Sequence, residues 1–217
     1  MSDINMQLVR EFFELNRFHV LTHWQHDHVP RFSDISSILF VEHPSLEAVQ
    51  ETEFVLRPEE VGALARAIVE VRAWHADRFY PSVIESSPIL GHVAGPEARA
   101  LAESVFGGPD YDTVLVISEL PGSPGPRARA VELLRAFGIG HVLEFPAIMT
   151  DILNRISAHG NYAPSHTLQT LRLLKRYDLV RRQQLEFGFS TEAPPGRDAP
   201  EVATNLHQEA QQLDSEE

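Results

Sequence analysis

Apolar side chains near the start of the chain recur every three or four positions. Leu8, Val9, Phe12, Phe13 and Leu15 fall on one side of a helix over residues 6–16, with Arg10, Glu14 and Arg17 opposite and Glu11 beside the apolar stripe. The period then changes. Residues 18–24 form a short apolar segment that runs into a polar loop, and residues 35–41, rich in β-branched and apolar side chains, predict a second strand closed by His43 and Pro44. Residues 45–57 are polar and carry no clear period, while residues 58–66, with a proline and two acids in the first turn, predict a short helix. It leads into residues 67–74, Ala-Ile-Val-Glu-Val-Arg-Ala-Trp, a third strand on which Glu70 and Arg72 share one face.

A loop with Pro81 and Pro88 precedes a helix over 96–106, stopped by Gly107, Gly108 and Pro109. Residues 113–118 are continuously apolar up to Ser118, as suits a central strand covered on both faces. A helix over 127–137 ends at Gly138, a strand follows over 141–145, and residues 146–158 and 165–182 predict two more helices. Late alternation of strands and helices implies an α/β protein with a mixed sheet covered by helices. The expected organisation is an α/β core over 1–146, a helical C-terminal extension over 147–190 and an acidic, flexible tail over 191–217.

Composition narrows the chemistry. The 217 residues include no cysteine, so disulfides and thiolate ligands are excluded and any metal must be held by oxygen or imidazole. The formal net charge of −13 argues against nucleic-acid binding through the overall field, but seven acids against Arg197 in residues 191–217 contribute −6 of it. Lys175 is the sole lysine, so an arginine where lysine is common elsewhere is less surprising here. No apolar run approaches the roughly 18 residues of a membrane span, and the first residues lack a basic-then-apolar leader pattern, so the expectation is a cytoplasmic protein without a membrane partner.

Asp34, just before the second strand, and Glu70-Val71-Arg72 on the third stand where two short motifs lie in the PD-(D/E)XK nuclease superfamily. Over about residues 6–146 the chain resembles that family in element order and in the placement of these acids, with Arg72 in place of the motif lysine. The resemblance implies a restriction-endonuclease-like fold and a Mg²⁺- or Mn²⁺-dependent hydrolase cutting phosphodiester bonds in nucleic acid. Asp34, Glu70 and the Val71 carbonyl would hold the metal, a hard cation that prefers oxygen ligands. Arg72 would stabilise the scissile phosphate and Glu11 would assist. Arginine keeps the charge but not the compact ammonium, so a catalytically inactive domain serving as an interaction module stands as the alternative. A Glu and an Arg two apart on a strand are also commonly an ion-paired face, and an Asp before a strand a turn residue.

Three further patterns invite chemistry. His23, His26 and His28 could converge on a metal or form a polar hairpin, and His75 could contact substrate or pack in its loop. Gly122 and Gly125 flank a proline-broken loop without the lysine of a phosphate loop, so a plain strand-to-helix turn is expected. Arg172, Lys175, Arg176, Arg181 and Arg182 form a basic cluster on or after a leucine-rich helix. It is either a nucleic-acid backbone contact or a solvated face. A protein partner or a homodimer is compatible with the same composition.

Overall fold

The computed structural model describes residues 3–22, 37–45 and 52–180. Contacts gather Met1–Val180 into one compact unit, and residues 181–217 lie outside the described residues. The elements run α1 (Asp3–Leu15), β1 (His19–Thr22), β2 (Ile38–Glu42), β3 (Arg66–Arg72), α2 (Pro81–Glu85), α3 (Pro96–Phe106), β4 (Asp112–Ile117), α4 (Pro124–Ala136), β5 (His141–Glu144), α5 (Phe145–Arg155) and α6 (His166–Arg176). The strands make one mixed sheet in the order β1-β2-β3-β4-β5. The first three form an antiparallel meander, and β4 and β5 then add parallel to β3. The expected α/β class with a mixed, helix-flanked sheet is the one observed. No helix among the described residues is long and apolar enough to cross a membrane.

Alternation along β3 sorts its side chains into two cores. Ala67, Val69 and Val71 face a layer built from Leu8, Val9, Phe12 and Phe13 of α1 with Ile148 and Ile152 of α5. Ile68 faces the opposite layer, with Ile84 of α2, Leu101 of α3 and Leu134 of α4. Because β4 lies between β3 and β5, its residues Val114 to Ile117 are buried on both faces, which is why that run is uniformly apolar. The segment expected as an appendage shares the core: α5 and α6 both pack on α1 within the same unit.

Two local expectations are corrected. Residues 58–66 hold only a 3₁₀ turn, Val61–Ala63, rather than a helix, because the chain must extend at Leu64 to enter β3. The proline-containing loop before α3 is instead largely helical. Pro81 opens α2 and Pro88 opens a 3₁₀ segment, Pro88–Ala94, each proline filling a first-turn position where its missing N–H costs nothing. The unassigned residues before Pro58 cover the sheet's far edge. Val142 donates its N–H to Phe54 O at 2.7 Å and accepts from Leu56 N at 2.9 Å, so this strap shields the backbone of β5.

Candidate functional site

Glu70 and Arg72 follow Ile68 at two-residue steps, so β3 carries a carboxylate and a guanidinium into the second core, under α2, the 3₁₀ segment and α3. Glu70 is 0% exposed and Arg72 7%. Arg72 Nε donates a 2.7 Å hydrogen bond to Glu70 Oε1, and Nη2 stands 2.5 Å from the same oxygen without an aligned hydrogen bond. The Ser37 hydroxyl at the start of β2 is 3.5 Å from Oε1, as is His92 Nδ1, which comes from the 3₁₀ segment. All of these contacts converge on one oxygen. Oε2 is buried with no hydrogen-bond partner, and so is His92 Nδ1, whose distance is long for a hydrogen bond.

The electrostatics follow from that geometry. Burial pushes the Glu70 carboxyl above its ordinary range, and Arg72 and then His92 pull it back without fully offsetting the desolvation. An orphaned, buried carboxylate oxygen costs on the order of 1–3 kcal/mol or more, and groups of this kind call for an explanation in folded proteins.

A hard divalent cation requires oxygen donors. Glu70 Oε2 offers an oxygen with no competing donor. His43 N–H donates to Ala65 O at 2.8 Å across the β2–β3 pair, and the alternation of backbone direction turns the Val71 carbonyl to the same side, toward the start of β2 where Ser37 lies. Both are oxygens, the donor type a hard divalent cation takes, and the β2–β3 register sets the Val71 carbonyl in the ladder opposite Ser37. Asp34 lies outside the described residues, four positions before Ile38, whose Cα pairs with that of Glu70. Among the described residues, no group of three or more histidines and acids is placed to hold a metal.

Glu11 is not brought to this site. It is carried by α1 on the opposite face of the sheet, 1% exposed, where Gln7 Nε2 donates to its Oε1 at 2.7 Å and the Ser165 hydroxyl donates to the same oxygen. Ser165 also caps α6 by accepting from Leu168 N at 3.0 Å, so Glu11 docks α6 onto α1. His75 lies on that face too. Its Nε2 is 3.2 Å from Asn5 Oδ1 and its ring meets Phe145 edge-on at 4.6 Å, beside a cavity of about 410 Å³ that Ser118 and Met149 also line. It is an exposed loop histidine held by that contact with Asn5.

The basic cluster is partly spent on folding. Lys175 Nζ donates to Leu153 O and Ile156 O, both at 2.6 Å, closing the C-terminal end of α5, and Arg172 Nη1 reaches Ala158 O at 3.4 Å. Arg176 ends α6, while Arg181 and Arg182, like His23, His26 and His28, lie outside the described residues. The glycine-containing loop before α4 is a strand-to-helix turn. Glu144 of β5 secures it by accepting from Leu120 N at 2.8 Å and pairing with Arg127 at 2.7 Å. His92 carried no signal in the sequence, since a lone histidine in a Pro- and Gly-containing stretch has no period or motif to mark it.

No protein-family model matches the chain, and neither a curated protein nor a solved structure matches it.

Proposed function

We propose that the chain is a restriction-endonuclease-like, metal-dependent phosphodiesterase acting on nucleic acid in the cytoplasm, with Glu70 as the metal carboxylate. The observation that carries this reading is the unpartnered Oε2 of a fully buried glutamate in the middle of the sheet. Glu11 Oε2 and Asp112 Oδ2 are buried and unpartnered as well, so what singles out Glu70 is its place beside Arg72 and opposite the start of β2. Glu70 and the Val71 carbonyl, with Asp34 assigned from its sequence position, would hold Mg²⁺ or Mn²⁺. A cation there would supply Lewis-acid polarisation of a phosphate oxygen. Arg72, held by Glu70 and permanently charged, would orient the phosphate and stabilise its developing charge, and would not act as a base.

A second reading has its own observation. Arg72 directs two nitrogens at Glu70 Oε1, which makes the pair self-sufficient on that side and favours a catalytically inactive domain acting as an interaction module. Calorimetric titration with Mg²⁺ and Mn²⁺ of the wild type beside Asp34→Ala and Glu70→Gln separates the two. Binding that both substitutions abolish supports the metal site, and absence of binding by the wild type removes it. Nuclease activity that appears only in Arg72→Lys identifies a relic site.

A further inference from the structure

We propose that His141 is a proton-operated latch on the strap that covers β5: as an imidazolium it ties the leading end of the strap to β4 and β5, and as a neutral ring it lets that end lift. The latch goes beyond the metal-site reading of Glu70 and does not depend on it.

The ring stands where three elements meet. Gly140 N donates to Thr113 Oγ1 at 2.7 Å, which pins the entry of β5 to β4, so His141 stays with the sheet and the strap is the part that moves. His141 Nδ1 lies 3.1 Å from Glu53 O, while Nε2 lies 3.7 Å from Asp112 Oδ1 of β4 and 3.5 Å from Thr52 Oγ1 of the strap. A cationic imidazole carries an N–H on each nitrogen and serves Glu53 O and the Asp112 carboxylate at once, whereas a neutral ring carries only one. Among the described residues Asp112 pairs with no other cation, and its Oδ2 is buried without a hydrogen bond. Glu60 is a second negative charge facing the ring, and the Glu53 carboxylate pairs with Arg57 at 3.4 Å. These charges keep the last proton on Nε2. Nδ1 then turns a lone pair toward Glu53 O, and the strap carbonyl is the contact that is lost.

The strap is built to hinge from its other end. Leu56 is 3% exposed, sits in the first core and donates its N–H to Val142 O at 2.9 Å. Toward Thr52, the backbone tie to β5 among the described residues is the 2.7 Å bond from Val142 N–H to Phe54 O. Lifting that end bares the Val142 N–H, an open sheet edge of the kind that accepts a further strand. It also shifts the strap's side of a groove of about 660 Å³ that Arg127 and Arg135 of α4 line as well.

The direction in pH follows. Burial lowers the ring's pKa, but Asp112 and the Glu53 carbonyl hold it above the ordinary 6.5. The latch is therefore fully closed below that ordinary value and is lost as pH rises through the folded one.

The test is amide hydrogen exchange by NMR on the full chain from about pH 5 to 9, with ring ¹⁵N shifts giving the pKa and tautomer of His141, for wild type, His141→Gln and Asp112→Asn. After correction for intrinsic exchange, the Val142 amide should open more often than that of Val116 in the central strand β4, whose exchange reads unfolding of the whole chain. Its opening should grow with pH through the His141 titration, by a factor of about 10 for each unit by which the latched pKa exceeds that of the lifted state. His141→Gln should hold the high-pH wild-type level at every pH. Asp112→Asn should lower the pKa of His141 and shrink the pH dependence. The wild-type profile answers the question even where a variant folds poorly. A Val142 amide that opens only together with Val116, an opening that ignores pH, or a neutral ring protonated at Nδ1 overturns the latch.

Discussion

Arg72→Ala should be among the most destabilising single substitutions in this chain. It removes the counter-charge of a glutamate that is 0% exposed and whose Oε1 receives Arg72 Nε at 2.7 Å. Breaking a buried ion pair from one side costs about 3–5 kcal/mol, because the remaining charge stays desolvated without compensation. Against a typical domain stability of about 5–15 kcal/mol, that is a large share. Removing both partners is a different perturbation. Glu70→Leu combined with Arg72→Met substitutes apolar contacts for the pair, and should return stability to within about 1–2 kcal/mol of the wild type or above it. The double-mutant cycle therefore predicts strong coupling between the two positions.

The pH dependence of that cost has a definite sign. Burial already raises the Glu70 carboxyl above its reference value of 4.5, and without Arg72 the rise is larger. A group with a raised folded pKa contributes fully below its unfolded value and loses that contribution as pH climbs through the folded one. The penalty of Arg72→Ala should thus grow from acidic toward neutral pH. Urea unfolding can be followed by the fluorescence of Trp74, which stacks on Phe79 at 5.2 Å just beyond β3. A loss below about 1 kcal/mol at neutral pH, or additive single mutants, would refute the picture of a desolvated, mutually dependent pair.

Three other outcomes follow from the same structure. Lys175→Met should cost about 2–3 kcal/mol in urea unfolding, since two carbonyls at the end of α5 lose a charged donor. Ser165→Ala should cost about 2 kcal/mol by removing both the α6 cap and a donor to buried Glu11, and hydrogen exchange should show α6 opening more often. At His141, burial alone lowers the ring's pKa, but the carboxylate of Asp112 and the Glu53 carbonyl, both acceptors for the ring N–H groups, together raise it above the usual 6.5. The stability advantage of wild type over His141→Gln should therefore be full below pH about 6.5 and shrink as pH rises through the folded value, measured by unfolding across pH 5–9.

What the sequence made legible depended on how local its cause was. β3 and β4 were readable because sheet burial writes itself directly into composition: both cores need apolar partners from β4, and β3 alternates two-sidedly. The 96–106 helix was readable because Gly107 stops it in the left-handed conformation, φ 74°, which glycine adopts at little cost. The strap at Phe54 to Leu56 was not, since its partner Val142 lies far along the chain and pairing by backbone alone leaves no side-chain pattern. Pro81 and Pro88 mark a loop by composition, although the same residue equally opens helices.

The site divides along the same line. Side-chain alternation on one strand was enough to put Glu70 and Arg72 together, and their ion pair is seen. His92 reaches Glu70 only through the packing of a 3₁₀ segment, a tertiary relation with no local signature. Glu11 was grouped with them by its acidity and its place on the first helix, but α1 covers the other face of the sheet. Lys175 reads in the sequence as one member of a basic cluster, a nucleic-acid contact or a solvated face, whereas its two carbonyl acceptors close the end of α5.

The role proposed for Glu70 is in phosphodiester chemistry. Its most direct test is cleavage of single- and double-stranded DNA and RNA by the purified chain with Mg²⁺ or Mn²⁺, beside Glu70→Gln confirmed to be folded. Cleavage should depend on the metal and fall by about 100-fold or more in Glu70→Gln. Cleavage that Glu70→Gln retains, or a wild type that cuts none of these substrates with either ion, would contradict it.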